Sequence, residues 1–266
     1  MKRSVQIRRI IKNHISEIER DFVATEEPLE IRIRGAAIAT IMRTPGDDIN
    51  LTTGFLYTEA IIEKNNDILE IAHCDDDQSS DRENIINVFL RPDVEIDPDR
   101  FTRHVSANSS CGICGKTTIE SIQSVFPPIT SKISIKAQDI SSFPEKLRTS
   151  QSAFRATGGL HAAALYSSTG VMMGIYEDVG RHNAVDKIAG HFLKAQTDLS
   201  QSILMVSSRV SYEIVQKTLA LRIPVICAIS APTSLAVEFA AGNNQTLIGF
   251  MRNDRMNVYT GSERVA

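Results

Sequence analysis

Between residues 143 and 250 the chain repeats one rhythm, and that rhythm restricts its fold more than any other feature. A helical stretch at 145–154 precedes Thr157-Gly158-Gly159, and a strand then runs through Ala162, Ala164 and Leu165. A strand over 171–176 and a helix over 183–194 follow, then strand 203–206, helix 211–221, strand 225–229, helix 234–241 and strand 247–250. Strands alternating with helices of this length predict an α/β domain of three layers around a largely parallel sheet. In such sheets the ligand crevice lies at the carboxyl ends of strands, where the chain turns into a helix.

Upstream the pattern differs. Leu29, Ile31 and Ile33 alternate with charged residues, the period of a half-buried strand. Residues 48–62 carry Ile49, Phe55, Leu56 and Ile62 at helical spacing, and 85–90 read as a strand. The acidic run at 75–81 lacks the glycine and distal glutamate of a calcium loop and reads as a hydrated turn. The expected organisation is a smaller N-terminal α+β domain at 1–100, a loop and linker at 101–142, and the α/β domain at 143–266.

Composition excludes several classes. With 42% hydrophobic residues in 266, the chain can bury a substantial core, yet no run of eighteen apolar residues exists to cross a membrane. The basic start (Lys2, Arg3, Arg8, Arg9, Lys12) lacks the apolar segment of a secretory signal, and Glu17 and Glu19 oppose an organellar address, so a cytoplasmic location is expected. A net charge of −3, no tryptophan and few aromatics give no reason to expect a nucleic-acid partner.

Four cysteines are too few for a secreted disulfide scaffold, and a close pair in a reducing cytosol reads as metal-binding, redox or sulfur-carrying. Cys111 and Cys114 form that pair, with Ser110, Gly112 and Gly115 leaving backbone N–H groups open to a thiolate and Lys116 favouring it by charge. Cys227 lies in an apolar strand and is expected in the core. Cys74 opens the acidic run, where a thiolate is disfavoured.

Polar loops gather at the predicted strand ends. Between Glu177 and Lys187 the roles of N-cap for Asn183 and capping box for Asp186 leave Arg181 and His182 unexplained. After the next strand, Ser207, Ser208 and Arg209 suggest an anion pocket beside a helix start, although Ser211 as an ordinary cap with Glu213 in the first turn also accounts for part of the segment. Ser230 to Ser234 is again small and hydroxylated, and Phe250, Met251, Arg252, Asn253, Asp254 and Arg255 close the series. Together they point to a large anionic ligand such as a nucleotide. No phosphate-loop or dinucleotide fingerprint specifies which.

Two rival chemistries fail on residue type. A zinc deaminase requires a glutamate two positions after its metal-binding histidine, and Ala163 stands there after His161. The Cys-x-x-Cys is upstream of that histidine and lacks a preceding proline. A zinc set of Cys111, Cys114, His104 and His161 has irregular spacing, and no metal site is expected. The cysteine pair also lacks the strand-to-helix context of a thioredoxin motif.

Ser109 to Gly115, Gly158 to Ala164, Glu177 to Lys187, Ser207 to Lys217 and Ser230 to Val237 resemble, in the same order, the FdhD/NarQ family of formate dehydrogenase accessory sulfurtransferases. The likeness extends over nearly the whole chain, and the Glu177 to Lys187 string is its most specific part. Tyr176 and Leu160 depart from it, standing where arginine and threonine are common.

The resemblance implies a sulfurtransferase that moves sulfur from a cysteine desulfurase to the molybdenum cofactor, bis-molybdopterin guanine dinucleotide, before that cofactor enters formate dehydrogenase. It implies a persulfide on Cys111, a supporting role for Cys114, and cofactor held partly by residues 250–255, with GDP as a simple analogue. Arg252, Arg255, Arg209 and Arg181, with His182 beside them, are the expected phosphate-side residues. A cytidine-deaminase-like fold and a homodimer are implied as well. A chaperone that binds the same cofactor without sulfur chemistry is the alternative.

Overall fold

The computed structural model describes residues 1–74, 82–95, 126–252 and 255–266. Strands β1 (Lys2–Ile11) and β2 (His14–Ala24) pair antiparallel in a ribbon of their own. Lys12 and Asn13 between them both take positive φ, 46° and 67°, the backbone that a two-residue hairpin turn requires. Ile10, Ile11, Ile15, Ile18 and Phe22 stand exposed on this ribbon.

The alternation at Leu29, Ile31 and Ile33 has the predicted consequence. In β3 (Glu27–Ile33) all three side chains are buried, while Pro28 is exposed and Glu30 and Arg32 are only partly buried. β3 pairs antiparallel with β4 (Ala36–Arg43) and parallel with β6 (Ile85–Leu90), and β6 pairs antiparallel with β5 (Ile68–His73). Helix α1 (Asp48–Thr58) covers this four-stranded sheet with Leu51 and Leu56 and ends four residues before the expected limit.

The larger sheet has six strands in the order β12-β11-β10-β9-β7-β8, namely β7 (His161–Ser167), β8 (Met172–Asp178), β9 (Ser202–Val206), β10 (Val225–Ala228), β11 (Thr246–Arg252) and β12 (Arg255–Thr260). Only β9, β10 and β11 pair parallel with one another; β7 runs antiparallel to β8 and β9, and β12 to β11. The expectation of a largely parallel sheet is corrected on this point. Residues 168–171 between β7 and β8 are too few for a crossover, so the two strands must form a hairpin.

Both faces of this sheet are covered, as the period of two along its strands demands. Ala163, Leu165, Leu204 and Val206 face α5 (Arg181–Lys194), α6 (Tyr212–Ala220) and α7 (Ser234–Gly242). Ala164, Tyr166, Met205 and Cys227 face α2 (Ala137–Ser141) and α3 (Phe143–Ser150). Phe143 stacks on Tyr166 with ring centroids 4.0 Å apart, fixing α3 to the sheet. Residues 133–135, within the segment expected as linker, add Ile133 and Ile135 to the same face. The single helix expected at 145–154 is two, α3 and α4 (Ser152–Thr157), broken at Gln151, whose ψ of 84° leaves the helical range.

Two glycines decide how the halves meet. A Cβ on Gly54 of α1 would lie 1.8 Å from the Asp186 carbonyl oxygen, and one on Gly190 of α5 would lie 1.9 Å from that of Asn50. The helices therefore touch backbone to backbone, an approach only glycine allows. Beside the contact the buried Lys217 Nζ reaches Asp186 at 3.0 Å, Glu59 at 2.9 Å and the Thr58 hydroxyl at 2.9 Å. Burial acts to lower the ammonium pKa; the facing Asp186 and Glu59 carboxylates outweigh it and raise it above the ordinary lysine value. Among the described residues no helix is long and apolar enough to cross a membrane.

Candidate functional site

The carboxyl ends of β8, β9, β10 and β11 share one edge of the six-stranded sheet with the first residue of β7. His161 pairs with Asp178, the Ala162 N–H donates to the Ser207 hydroxyl at 2.9 Å, Ile229 N–H donates to Val206 at 3.2 Å, and Phe250 N–H donates to Ser230 at 3.1 Å. This edge floors a cleft of about 870 Å³, in which His161, Ser207, Ile229, Met251 and Arg252 face Glu145, Arg148, Gln151 and Phe154 of the α3–α4 wall. The position is the one that strand-to-helix chemistry predicts for a ligand.

The wall is held from the sheet. Glu177 of β8 accepts hydrogen bonds from the N–H groups of Ala153 (3.0 Å) and Phe154 (2.7 Å), and so caps α4 across space. α4 ends at Gly158, whose φ of 69° turns the chain toward His161. Gly159 meets the ribbon there: a Cβ on it would sit 3.4 Å from Ala24 Cβ.

The loop after β8 is built on Asp178, which is fully buried. Its carboxylate accepts from Thr44 N–H at 3.1 Å, Gly180 N–H at 2.8 Å and Asn183 Nδ2 at 2.8 Å, and pairs with the equally buried Lys187 Nζ at 2.8 Å. This corrects the capping roles assigned from sequence. Gly180 is the N-cap of α5, Asn183 ties the loop to β4 by donating to the Met42 carbonyl, and Asp186 faces Thr58 and Lys217. One carboxylate thus fixes the turn from which Arg181 and His182 project.

His161 is half-buried and has no hydrogen-bond partner among the described residues, so it is not a satisfied core histidine. Burial holds its pKa below the ordinary histidine value, and the charges of Arg181 and His182 push it further down. His182 turns toward α6, where Nε2 lies 2.9 Å from Glu213 Oε2 and 3.3 Å from the Ser211 hydroxyl. Ser211 is the N-cap residue of α6, but its hydroxyl bonds Glu213 and His182 rather than a helix N–H.

The predicted binding residues are distributed unevenly. Met251 and Arg252 line the cleft, and Arg181 is near enough for its charge to act on His161. Phe250 sits at a bulge with φ of 53° and an exposed ring, which turns Met251 inward. Arg255 is exposed opposite Arg252, and Arg209 is exposed outside the cleft lining. No hydrogen bond or ion pair engages the guanidinium groups of Arg181, Arg209, Arg252 or Arg255 among the described residues, in contrast to Arg43 and Arg264, which are buried and bonded. Cys111, Cys114, Asn253 and Asp254 lie outside the described residues, as does His104. Cys227 is buried, and burial pushes its thiol pKa up, as expected of a core residue. Sequence reading missed Gln151, Phe154, Arg148 and the cap from Glu177; the one hint was the serine pair flanking Gln151, a residue type that favours helix ends.

A profile of the FdhD/NarQ family matches residues 24–266. The chain belongs to the FdhD/NarQ family. The FdhD/NarQ relatives include a protein named sulfur carrier protein FdhD from Streptomyces coelicolor, 44% identical over 92% of this chain and 89% of its own. A protein of the same name from Sulfolobus acidocaldarius is 44% identical over 98% and 99%. In fold, this FdhD/NarQ chain is similar to a crystal structure described as a formate dehydrogenase accessory protein from Desulfotalea psychrophila, with a TM-score of 0.78, 24% identity, and coverage of 100% of this chain and 99% of that one.

Proposed function

We propose that this chain is a sulfur carrier that accepts sulfur from a cysteine desulfurase as a persulfide on Cys111 and delivers it to bis-molybdopterin guanine dinucleotide for formate dehydrogenase. The observation that carries the reading is 44% identity across 92% of the chain to a relative named a sulfur carrier protein. Cys227 is unfit for the task, being buried with its thiol pKa pushed up, and the Cys-x-x-Cys pair, unlike the single partly exposed Cys74, offers two thiols for the exchange.

The transfer balances without an outside oxidant. The Cys111 thiolate attacks the terminal sulfur of the donor's persulfide; the donor's S–S bond breaks and its cysteine leaves as thiolate. For delivery, the Cys114 thiolate attacks the Cys111 sulfur, the persulfide S–S bond breaks, and the outer sulfur departs as sulfide. Two thiols have then become a disulfide, and a dithiol reductant resets the pair. The cofactor is the substrate of this exchange, and arginines that have no partner among the described residues suit its phosphates, with Arg252 in the cleft and Arg181 at the start of α5. A cytidine-deaminase-like domain over 143–266, a homodimer and a cytoplasmic location complete the reading.

Intact-protein mass spectrometry after incubation with an active desulfurase and cysteine tests it. One reductant-labile sulfur gained by the wild type and lost in Cys111→Ala is expected. No gain in the wild type would discard sulfur carriage in favour of a cofactor chaperone, in which serine at both Cys111 and Cys114 is tolerated.

A further inference from the structure

The register of the β1–β2 ribbon puts Arg8 and Ile10 on one face with Ile15, Ile18, Arg20 and Phe22. All of them are exposed, Ile10 by 68% and Ile18 by 59%. Lys2 joins the same face, with its ammonium 4.4 Å from the centre of the Phe22 ring. The face is therefore apolar and cationic, and it holds no carboxylate. The opposite face differs: Val5, Ile7, Glu19 and Asp21 are partly covered, and Arg9 meets Glu19 at 3.1 Å. A two-stranded ribbon alone is marginal in water and gains stability when an apolar face is covered. A continuous exposed apolar stripe marks such a surface.

Charge says what covers it. Residues 1–24 hold six Lys and Arg against three Asp and Glu, a net charge of +3; the whole chain carries −3, so residues 25–266 carry −6. Stacking two open ribbon faces on each other would set cation against cation, whereas the acidic remainder of the chain complements them. The apex, Lys12-Asn13-His14, is polar, which disfavours sinking the tip into a bilayer.

We propose that the ribbon is a dimerisation arm whose open face lies on residues 25–266 of a second copy of this chain, and that the second ribbon returns the contact about a two-fold axis. Strands of this length make each ribbon face about 34 Å long and about 10 Å wide. Two such contacts, counted on both sides, bury about 1,400 Å², the size of a stable interface. The proposal rests on the reading of the protein as a homodimer and adds which segment makes the interface. The ribbon ends where the family profile begins, at residue 24, and it holds none of the residues given to sulfur or cofactor.

Light scattering on the full chain, read across a concentration series, tests it. The wild type should have twice the 29.3 kDa chain mass. Ile15→Ser with Ile18→Ser should raise the dimer dissociation constant about tenfold or more, and Arg8→Glu with Arg20→Glu should do the same. The second pair exchanges solvated charges and so keeps the test valid if the first fails to fold. Added salt should weaken the wild-type dimer. A wild-type dimer that both variants leave intact would overturn the arm and spare the homodimer reading; a wild type that stays monomeric would overturn both. Binding of that monomer to phosphatidylserine vesicles would assign the face to an anionic bilayer instead.

Discussion

His182 Nε2 lies 2.9 Å from Glu213 Oε2, tying the first turn of α5 to the first turn of α6 at the edge of the cleft. Burial acts to raise the Glu213 carboxyl, but the bond from His182, that ring's charge and the Ser211 hydroxyl outweigh it and bring the pKa below the usual range. A lowered carboxylate contributes stability above its unfolded pKa and loses it as pH falls through the folded value. Glu213→Gln should therefore cost about 2 kcal/mol near neutral pH, with the deficit vanishing in acid. Urea unfolding at several pH values checks this, and an equal deficit at all pH values would show that the charge is irrelevant.

His161 gives the opposite sign test. Its folded pKa lies below the ordinary value, so the unfolded chain binds the proton first and stability drops as pH falls below about 6.5. His161→Gln should flatten that drop. An anion placed against Arg181 and His182 would relieve their push on the ring, so GDP binding near pH 6 should take up protons in the wild type and fewer in the variant. Calorimetry in two buffers of different ionisation enthalpy reads this directly.

Gly54→Ala should destabilise the protein by about 3 kcal/mol, the upper range for overpacking, because the clash is with carbonyl oxygen and not with a movable side chain. Gly190→Ala should do the same, and the double variant should cost less than the sum, since one separation of α1 and α5 relieves both. Thermal unfolding of the three variants decides the matter; simple additivity would argue for two independent sites.

Asp178→Ala should cost about 3–5 kcal/mol, since it strands the Lys187 ammonium in the interior along with the donors of Thr44, Gly180 and Asn183. Hydrogen exchange at the Gly180 amide should rise with it. The double variant Asp178→Ala, Lys187→Met should recover much of the loss, which a purely steric role for Asp178 would not permit.

Strands β3 and β6 of the smaller sheet and β7 to β11 of the larger were legible because burial leaves its period in the residue types, whereas β4, β5 and β12 were not read. Leu29, Ile31 and Ile33, or Val225 to Ala228, have no other way to be read. Pair direction was not legible from apolar content, though the four residues between Ser167 and Met172 held the answer in their number. The cleft's floor was visible as cationic and hydroxylated strand ends. Its wall was not: Gln151 and Phe154 belong to a stretch that reads as one helix, and the break between α3 and α4 is sustained by Glu177, distant in sequence. Asn183 misled for a similar reason, since a cap and a tertiary tether use the same side chain, and only the arrival of Asp178 and Met42 separates them. The ribbon of β1 and β2 escaped because its strands bury no face.

The glycine contact gives the molecule a lever. α5 begins at Arg181 and meets α1 at Gly190, nine residues or about 14 Å farther along its axis. With main chain against main chain there are no side chains to absorb movement at that fulcrum. A force on the four-stranded sheet that tilted α1 would bear on the main chain of α5, the helix whose first residue is Arg181.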